Sequence, residues 1–354
     1  MKSNQKYFND FKSLPVDKFF ERVLYDKKFG YYSLKNPIGK DGDFITAPKI
    51  SNIFSEMIAI WIISTWEMFG KPENLDVVEL GPGDGSLMKV LLNVFKQFPE
   101  FDSAKNIYLF ETSKELKKKQ KFVLRNNKIQ WVENFEKIKK GPVIFFGNEF
   151  FDAIPIKQFK KKGNSLMEKN YALERNYKIK EIFKSAKLND TKSINSFKSL
   201  KGIKFIEFPK LGLIELQKIV KKITKLKGCF LMIDYGYTKP NNQNTLQSVV
   251  AHKKNPILNN LGKADITSHV NFVLLKEFFL KNNLGVKKIV SQKEFLQNMG
   301  IVERAKILSK KMKFSEKTDL YFRLKRLLSP RSMGALFKVL LAYKFKKNNF
   351  YGFN

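Results

Sequence analysis

The chain has 354 residues, of which 43% are hydrophobic and 14% aromatic, so it can build a packed core and is not disordered throughout. Its 67 lysines and arginines against 33 acidic residues give a formal charge of +34, yet only seven of the basic residues are arginine. Because lysine, asparagine, isoleucine and phenylalanine are abundant together, A/T-rich codon usage is favoured, and a polyanion partner such as RNA or an anionic membrane is the alternative.

The sparse cysteine and histidine content argues against disulfides and zinc. Cys229 has no second cysteine to pair with and lies in an apolar run, which predicts a buried thiol. His252 and His269 lack metal-ligand spacing, so we expect no metal site. The amino terminus has neither a signal-peptide core nor a transit-peptide composition, and the most apolar helical stretch, beginning at Met57, has only ten residues. We expect a soluble protein, cytoplasmic in a bacterium or in the mitochondrial matrix of a eukaryote.

Residues 1–70 are predicted to form a helical lead-in with a lid. Helical patterns cover 16–25 and 53–69, and the segment between them is rich in Gly, Pro and Asp, which predicts a loop or a short hairpin. Two glycines in "GKDGDFITAP" would let this loop close over a ligand. Asp43 and Thr46 are candidates to contact the donor or the substrate there, and an ordinary surface turn is the alternative.

From residue 76 onwards, strands and helices alternate, which predicts an α/β domain over 71–354 with a parallel sheet covered by helices on both faces. Two stretches interrupt the alternation and are predicted to be substrate-side insertions, at about 157–209 and 236–271. The expected strands are 76–80, 106–110, 129–132, 143–146, 229–233 and 335–345, the expected helices are 86–97, 113–126 and 217–225, and a hairpin is expected at 165–182.

The stretch "VVELGPGDGSLMKVLL", residues 77–92, predicts a strand, a glycine loop and a helix. Its spacing is Gly-x-Gly-x-Gly at Gly81, Gly83 and Gly85, whereas a dinucleotide fingerprint needs Gly-x-Gly-x-x-Gly. Glu79 lies two residues before the first glycine and would repel a pyrophosphate, but it suits a cationic, amino-bearing ligand. S-adenosyl-L-methionine carries both an ammonium and a sulfonium, so we predict it as the cofactor.

The second predicted strand ends in Glu111, which could accept hydrogen bonds from both ribose hydroxyls of that cofactor. We therefore predict cofactor contacts from Glu79, the three glycines and Glu111. The alternative is a glycine-rich turn next to a surface carboxylate.

Several longer stretches resemble the MidA-like family over nearly the whole chain. They are "FGYYSLKNPIGKDGDFITAPKISNIFSEMIAIW" (29–61), the glycine motif (77–92), "GNEFFDAIPIKQF" (147–159), "LMIDYGY" (231–237), "GKADITSHVNF" (262–272) and "MGALFKVL" (333–340). The resemblance implies a seven-stranded, Rossmann-like methyltransferase fold with S-adenosyl-L-methionine as donor. For mitochondrial members it implies dimethylation of an arginine in a complex I subunit. The sequence departs from the family pattern at Lys49, Ser55, Ala59 and Gln247.

In "GNEFFDAIP" two carboxylates follow a strand, at the sheet edge where α/β proteins bind ligands. Glu149 and Asp152 could hold a planar guanidinium and aim one nitrogen at the methyl group, with Phe150 and Phe151 excluding water. Asn148 is a further candidate for cofactor contact. The alternatives are that Asp152 caps a helix or pairs with a lysine and that the phenylalanines are core.

The family resemblance implies a protein arginine methyltransferase that acts on a complex I peripheral-arm subunit during assembly, and the two carboxylates of "GNEFFDAIP" suit such a cationic target. An RNA methyltransferase is the alternative that the charge suggests, although Glu149 and its neighbours differ from the Asn/Asp-Pro-Pro-aromatic motif of RNA amino-group enzymes. A non-catalytic assembly chaperone is the alternative from another class, and a nicotinamide oxidoreductase fits the glycine spacing least.

Overall fold

The computed structural model describes residues 2–9, 11–34, 47–125, 127–250 and 253–353. The chain divides into two compact units, each built from three segments. The smaller unit comprises Met1–Phe44, Phe151–Leu216 and Tyr237–Phe278, and the larger unit comprises Ile45–Phe150, Gln217–Gly236 and Phe279–Asn354.

The described part contains helices of very different lengths. They are α1 (Val16–Tyr25), α2 (Tyr31–Leu34), α3 (Ala47–Ile50), α4 (Asn52–Met68), α5 (Ser86–Phe95), α6 (Pro99–Ala104), α7 (Lys114–Val123), α8 (Leu188–Asn195), α9 (Lys210–Leu226), α10 (Phe272–Lys281), α11 (Gln292–Asn298), α12 (Ile301–Ser309), α13 (Phe314–Leu328) and α14 (Met333–Leu336), with 3₁₀ turns at Lys2–Tyr7 and Lys198–Leu200. None of the helices in the described ranges is long and apolar enough to cross a bilayer.

The strands range from two to ten residues. They are β1 (Ser13–Pro15), β2 (Leu75–Leu80), β3 (Lys105–Phe110), β4 (Ile129–Val132), β5 (Val143–Asn148), β6 (Lys157–Lys162), β7 (Ser165–Leu173), β8 (Ile179–Ser185), β9 (Phe205–Phe208), β10 (Gly228–Tyr237), β11 (Gln247–Val250), β12 (Lys253–Asn255), β13 (Asp265–Thr267), β14 (Val270–Asn271), β15 (Gly285–Val286), β16 (Val290–Ser291) and β17 (Phe337–Lys344).

The larger unit is built on a mixed sheet with the strand order β15-β17-β10-β5-β2-β3-β4. Strands β10, β5, β2, β3 and β4 are parallel, and β17 runs antiparallel to β10. Strand β2 is buried along its whole length, as expected for a strand covered by helices on both faces. The predicted α/β class is confirmed, and the predicted terminal strand is present as β17.

Helix α4 closes one side of this unit, because its apolar residues lie on nearly every face. Trp61 and Phe54 are fully buried in the same core as Leu91 of α5. Cys229 is buried, and burial raises the pKa of its thiol, so the prediction of a buried thiol is confirmed.

The smaller unit contains an antiparallel sheet with the order β1-β7-β6-β9, in which β8 pairs with β7. The hairpin predicted at 165–182 is therefore confirmed, but the rest of this sheet was not predicted. The polar segment 236–271, predicted as an insertion without assigned strands, holds a second sheet in which β11 lies between β12 and β13.

One correction concerns the predicted loop between α1 and α4, and a further finding concerns the insertion predicted at about 157–209. The predicted loop contains the short helices α2 and α3. Within the insertion predicted at about 157–209, Lys157 and Lys169 are buried, although lysine side chains are usually exposed. Lys157 is held by Glu168 and Asp190, and the Lys169 Nζ lies 2.6 Å from the Glu181 carboxylate. Ion pairing offsets the desolvation that would otherwise exclude these side chains from the core.

Candidate functional site

The glycine loop follows β2 in the larger unit and turns the chain into α5. Gly81, Gly83 and Gly85 have φ angles of 60°, 56° and 85°, in the left-handed region that favours glycine. A Cβ on Gly81 would lie 2.8 Å from the Phe150 ring, so a side chain has no room there. Gly85 is the N-cap residue of α5. The loop therefore presents bare backbone next to the helix amino terminus.

Glu79 is unusual among the carboxylates of the larger unit, because it is buried and no described residue neutralises its charge. Its side chain is 2% exposed, and its Oε2 atom has no hydrogen-bond partner in the described part of the chain. Burial, together with the charges of Asp84 and Glu111, raises the pKa of Glu79 to about 8. A cationic group bound here would supply the missing partner.

A lysine that departs from the family pattern belongs to the same neighbourhood. The Lys49 Nζ, in α3, lies 2.6 Å from Oδ2 of Asp84 in the glycine loop. Asp84 also accepts a hydrogen bond from the Ser86 amide, at 3.1 Å. Lys49 thus balances the charge of Asp84, whereas Glu79 has no such counter-ion among the residues that the structure describes.

Glu111 lies directly after β3 and is held by its own turn. Its Oε1 accepts hydrogen bonds from the amides of Thr112 and Ser113, both at 2.8 Å. Its Oε2 accepts a hydrogen bond from the Gln120 side chain, at 3.2 Å. Burial raises the pKa of Glu111 and these hydrogen bonds oppose that rise. The carboxylate is thereby fixed at the end of β3.

Gln120 of α7 was not identified from the sequence, although it connects the parts of this site. It is fully buried, and its Nε2 donates to the Gly83 carbonyl at 2.8 Å as well as to Glu111. Its Oε1 accepts from the Trp131 indole at 2.9 Å. The sequence feature that could have identified it is its spacing: Gln120 lies four residues after the buried Leu116, on the same buried face of α7.

Asn148 and Glu149 occupy the end of β5. The Asn148 Oδ1 atom is buried without a hydrogen-bond partner among the described residues, and its Nδ2 donates to Glu149 Oε1 at 3.2 Å. Glu149 has a φ of 52°, a left-handed backbone conformation that is costly for a side chain of this kind. Its amide donates to the Ile233 carbonyl at 2.9 Å, which holds this conformation in place.

Asp234 follows Ile233 in β10, next to the end of β5. It is fully buried, and its Oδ1 accepts a hydrogen bond from the Tyr235 amide at 2.9 Å. The location of Asp234 at the sheet edge follows from the pairing of β10 with β5, in which Ile233 lies opposite Asn148. Asp234 therefore lies one residue beyond that pair on the same sheet edge.

The two phenylalanines of the "GNEFFDAIP" segment have different surroundings. Phe150 packs against Gly81 and lies edge-on to the Phe110 ring, at 6.3 Å between centroids, so it borders the glycine loop. Phe151 is buried in the smaller unit, where a Cβ on Gly212 would lie 2.4 Å from its ring. The expectation that both rings line one site is therefore not supported for Phe151, which is a core residue.

Asp152 also belongs to the smaller unit, where it is buried and its backbone carbonyl accepts a hydrogen bond from the Ser268 amide at 3.1 Å. Glu149 belongs to the larger unit. Their joint action on one group stays a prediction. Asp43 and Thr46, the predicted lid contacts, lie outside the described residues.

The donor set fits S-adenosyl-L-methionine. Glu79 is a buried carboxylate whose Oε2 atom has no partner within the described ranges, Glu111 offers a fixed acceptor at the next strand, and the glycines leave the backbone open. Three or more metal-ligating side chains do not cluster anywhere in the described ranges.

Comparison with known proteins decides the family. The model of the family described as "Putative S-adenosyl-L-methionine-dependent methyltransferase" matches residues 57–290. The chain belongs to this family. The resemblance drawn from the motifs is confirmed, and S-adenosyl-L-methionine is the cofactor of this methyltransferase.

Two mitochondrial proteins are similar in sequence to this chain over most of its length. "Protein arginine methyltransferase NDUFAF7, mitochondrial" of Danio rerio is 29% identical over 348 residues, which cover 92% of this chain and 82% of the relative. The Homo sapiens protein of the same name is 27% identical over 349 residues, which cover 92% of this chain and 78% of the relative.

Solved structures agree on the fold. A Burkholderia thailandensis protein described as a methyl transferase, solved with S-adenosyl-homocysteine bound, has a TM-score of 0.78 at 22% identity over 97% of this chain and 89% of that one. A native structure from the same organism has a TM-score of 0.79 at 23% identity, over 97% and 90% of the two chains. The predicted methyltransferase fold is confirmed.

Proposed function

We propose that this methyltransferase transfers methyl groups to an arginine side chain of a protein substrate, and that the substrate is a peripheral-arm subunit of respiratory complex I during assembly. The observation that carries the proposal is Glu149, a carboxylate held in a strained backbone conformation at the end of β5. Its neighbour Phe150 packs against the glycine loop. The names of the mitochondrial relatives support arginine as the acceptor.

The chemistry asks for a carboxylate at that position. A guanidinium is a planar cation with a pKa of about 13, and its delocalised charge makes each nitrogen a poor nucleophile. A carboxylate that accepts hydrogen bonds from two N–H groups orients the guanidinium plane. It also stabilises the positive charge on the nitrogens that do not attack the methyl group. Glu149 fills this role in the proposal, with Asp152 as a second carboxylate three residues later.

The remaining residues hold the donor, which supplies an electrophilic methyl group when bound. Glu79 pairs with its ammonium, and Glu111 accepts hydrogen bonds from the ribose hydroxyls. Gly81, Gly83 and Gly85 allow close approach of the backbone. Asn148 offers the donor its buried Oδ1.

The partner and the location follow from the same proposal. The substrate is a protein, and the reaction takes place in the bacterial cytoplasm or, for a eukaryotic source, in the mitochondrial matrix. The mitochondrial designation belongs to the relatives. Peptide mass mapping of complex I subunits from cells with and without this gene would identify the methylated arginine.

The decisive experiment separates donor binding from methyl transfer. Glu149→Gln keeps the size and polarity of the side chain and removes its charge. We expect it to bind S-adenosyl-homocysteine nearly as well as the wild type, while the barrier to methyl transfer rises by about 2 to 4 kcal/mol. Asp152→Asn should have the same effect or a smaller one. Calorimetry and single-turnover methyl transfer on the same preparations provide the two readouts.

Gly83→Val is the matched variant for loss of donor binding, because a branched side chain at a φ of 56° fills the loop. If Glu149→Gln lost S-adenosyl-homocysteine binding as completely as Gly83→Val, Glu149 would serve the donor or the fold. The guanidinium assignment would then be wrong.

A further inference from the structure

Helix α13 carries two apolar faces, and only one of them is needed for the fold. Leu327 is buried and Leu320, Leu324 and Leu328 pack against the core of the larger unit. The aromatic side chains of the same helix point elsewhere: Phe314 is 86% exposed, Tyr321 60% and Phe322 59%. A helix needs a single apolar stripe to join a core, so the exposed aromatic residues call for another explanation.

These aromatic residues form a stripe with basic side chains. Phe314 and Tyr321 are seven residues apart, so they lie on the same face of the helix, two turns from each other. Lys325, four residues beyond Tyr321, places its Nζ 6.0 Å from the centre of the Tyr321 ring. We call Phe314, Tyr321, Phe322 and Lys325 the aromatic-basic face.

The acidic residues of α13 do not cancel its positive charge. Glu316 accepts a hydrogen bond from the Lys313 amide at 2.7 Å, and Asp319 pairs with Arg323 at 3.0 Å. The exposed side chains of Lys317, Lys325 and Arg326 have no carboxylate partner in the described part of the chain. The helix is therefore cationic on its solvent side.

Codon bias towards lysine does not explain this charge. Residues 301–331 contain ten basic and three acidic side chains, and four of the seven arginines of the whole chain lie here. Elsewhere in the chain 54 lysines accompany only three arginines, so the arginines of this segment are an exception. They are Arg304, Arg323, Arg326 and Arg331.

We propose that the aromatic-basic face of α13 docks on an anionic lipid surface. Aromatic rings beside Lys and Arg on an exposed helix suit the boundary between acyl chains and negatively charged headgroups. Neighbouring helices add aliphatic side chains, Ile307 of α12 and Leu336 of α14, which are also exposed. Aliphatic side chains enter an acyl boundary but cannot stack on bases, and this favours lipid over single-stranded RNA. The proposal is independent of the methyl acceptor.

The test compares vesicles of neutral phosphatidylcholine with vesicles that contain about 30% phosphatidylglycerol, using the full chain in a sedimentation assay. We expect binding to the anionic vesicles and little to the neutral ones. Phe314→Ser combined with Tyr321→Ser should lower the partition coefficient about tenfold, because it removes the groups that insert. Lys317→Glu combined with Lys325→Glu should lower it further at low salt. The changed side chains are exposed, so melting temperature and S-adenosyl-homocysteine affinity should stay at wild-type values.

The matched control is Phe122→Ser combined with Phe183→Ser, which removes two exposed aromatic rings from other lysine-rich elements, α7 and β8. It should leave vesicle binding unchanged. Equal loss in the control and the α13 variant would overturn the proposal, as would equal binding to neutral and anionic vesicles. A labelled single-stranded RNA provides the other comparison. If the α13 variant lost RNA binding and kept vesicle binding, the face would stack bases and the lipid proposal would be wrong.

Discussion

Glu79 shows most clearly how a single residue can be costly for folding and useful for binding. The pKa of its carboxyl, raised to about 8 by burial and by Asp84 and Glu111, lies above the ordinary value of 4.5. Between those two values the folded protein holds a proton that the unfolded chain has released. Stability therefore falls as the pH rises through this window.

Glu79→Gln removes the titrating group and keeps the shape. We expect the ligand-free variant to be more stable than the wild type above pH 8, by on the order of 4 kcal/mol, and to show little difference near pH 5. It should also bind S-adenosyl-homocysteine more weakly, because the ammonium loses its counter-ion. Thermal melts from pH 5 to 9 and calorimetry at pH 7 are the measurements.

The two readouts separate the possible roles of Glu79. If the Glu79 carboxylate stabilised the fold, the Glu79→Gln variant would be less stable than the wild type at every pH. A variant that is destabilised without dependence on pH would contradict the assignment of Glu79 to the cofactor ammonium.

Gly81 offers a second test at the level of one residue. Alanine there meets both a positive φ of 60° and the Phe150 ring, whereas alanine at Gly163 meets a φ of 56° with nothing within 4 Å. We expect Gly81→Ala to cost about 1 to 3 kcal/mol more than Gly163→Ala, since only the first is overpacked. Denaturant unfolding of both variants measures the difference, and equal losses would show that the backbone conformation alone sets the cost.

At the level of elements, α7 holds the glycine loop and Glu111 together through one side chain. Gln120→Leu would leave the Gly83 carbonyl, Glu111 and the Trp131 indole without this partner. We expect it to cost about 2 to 4 kcal/mol of stability and to weaken S-adenosyl-homocysteine binding. Gln97→Leu, the same change at an exposed position after α5, is the control and should be neutral.

Calorimetry on both variants decides whether α7 positions the cofactor site. Unchanged affinity in a folded Gln120→Leu protein would mean that the loop and Glu111 keep their places without it.

The elements that the sequence predicted best are those whose own residues show a clear apolar pattern. Strands β2, β3, β4 and β5 appear as short apolar runs next to amphipathic helices, so their periodicity was sufficient. Strand β6, with the sequence KQFKKK, has no such pattern. It is a strand because β7 and β9 pair with it, and β9 lies some forty residues further on.

The same limit applies to the candidate site. The glycine spacing identified the loop, and the acidic residues at strand ends identified Glu79 and Glu111. Both patterns can be recognised from neighbouring residues in the sequence. The pairing of Lys49 with Asp84 joins residues 35 positions apart, and the positive φ of Glu149 depends on the Ile233 carbonyl. Neither can be read from residue type. The catalytic and cofactor roles assigned to these residues stay predictions.

At the level of the whole molecule, the chain returns to the smaller unit twice after leaving it. In its middle segment, Phe151–Leu216, charges pair across several elements: Lys157 meets Glu168 and Asp190, and Lys210 reaches Asp190 at 2.6 Å. The sequence does not distinguish a buried lysine from an exposed one, because burial depends on acidic partners that only the fold brings together. The two segments predicted as insertions, and not the central sheet, were for this reason the least predictable part of the molecule.

The net charge of +34 is a property of the whole molecule, and from it we predict how the protein binds RNA. Dispersed lysines bind any polyanion through counter-ion release, independently of its base sequence. We expect single-stranded RNA to bind tightly only at low salt, with a dissociation constant weaker than about 1 μM at physiological salt. Affinities for random and homopolymer sequences should agree within about threefold, because base stacking is sequence-tolerant. Fluorescence anisotropy over a salt series is the measurement. Sequence-selective binding that persists at high salt would require a built RNA site, and it would favour an RNA acceptor over the arginine side chain.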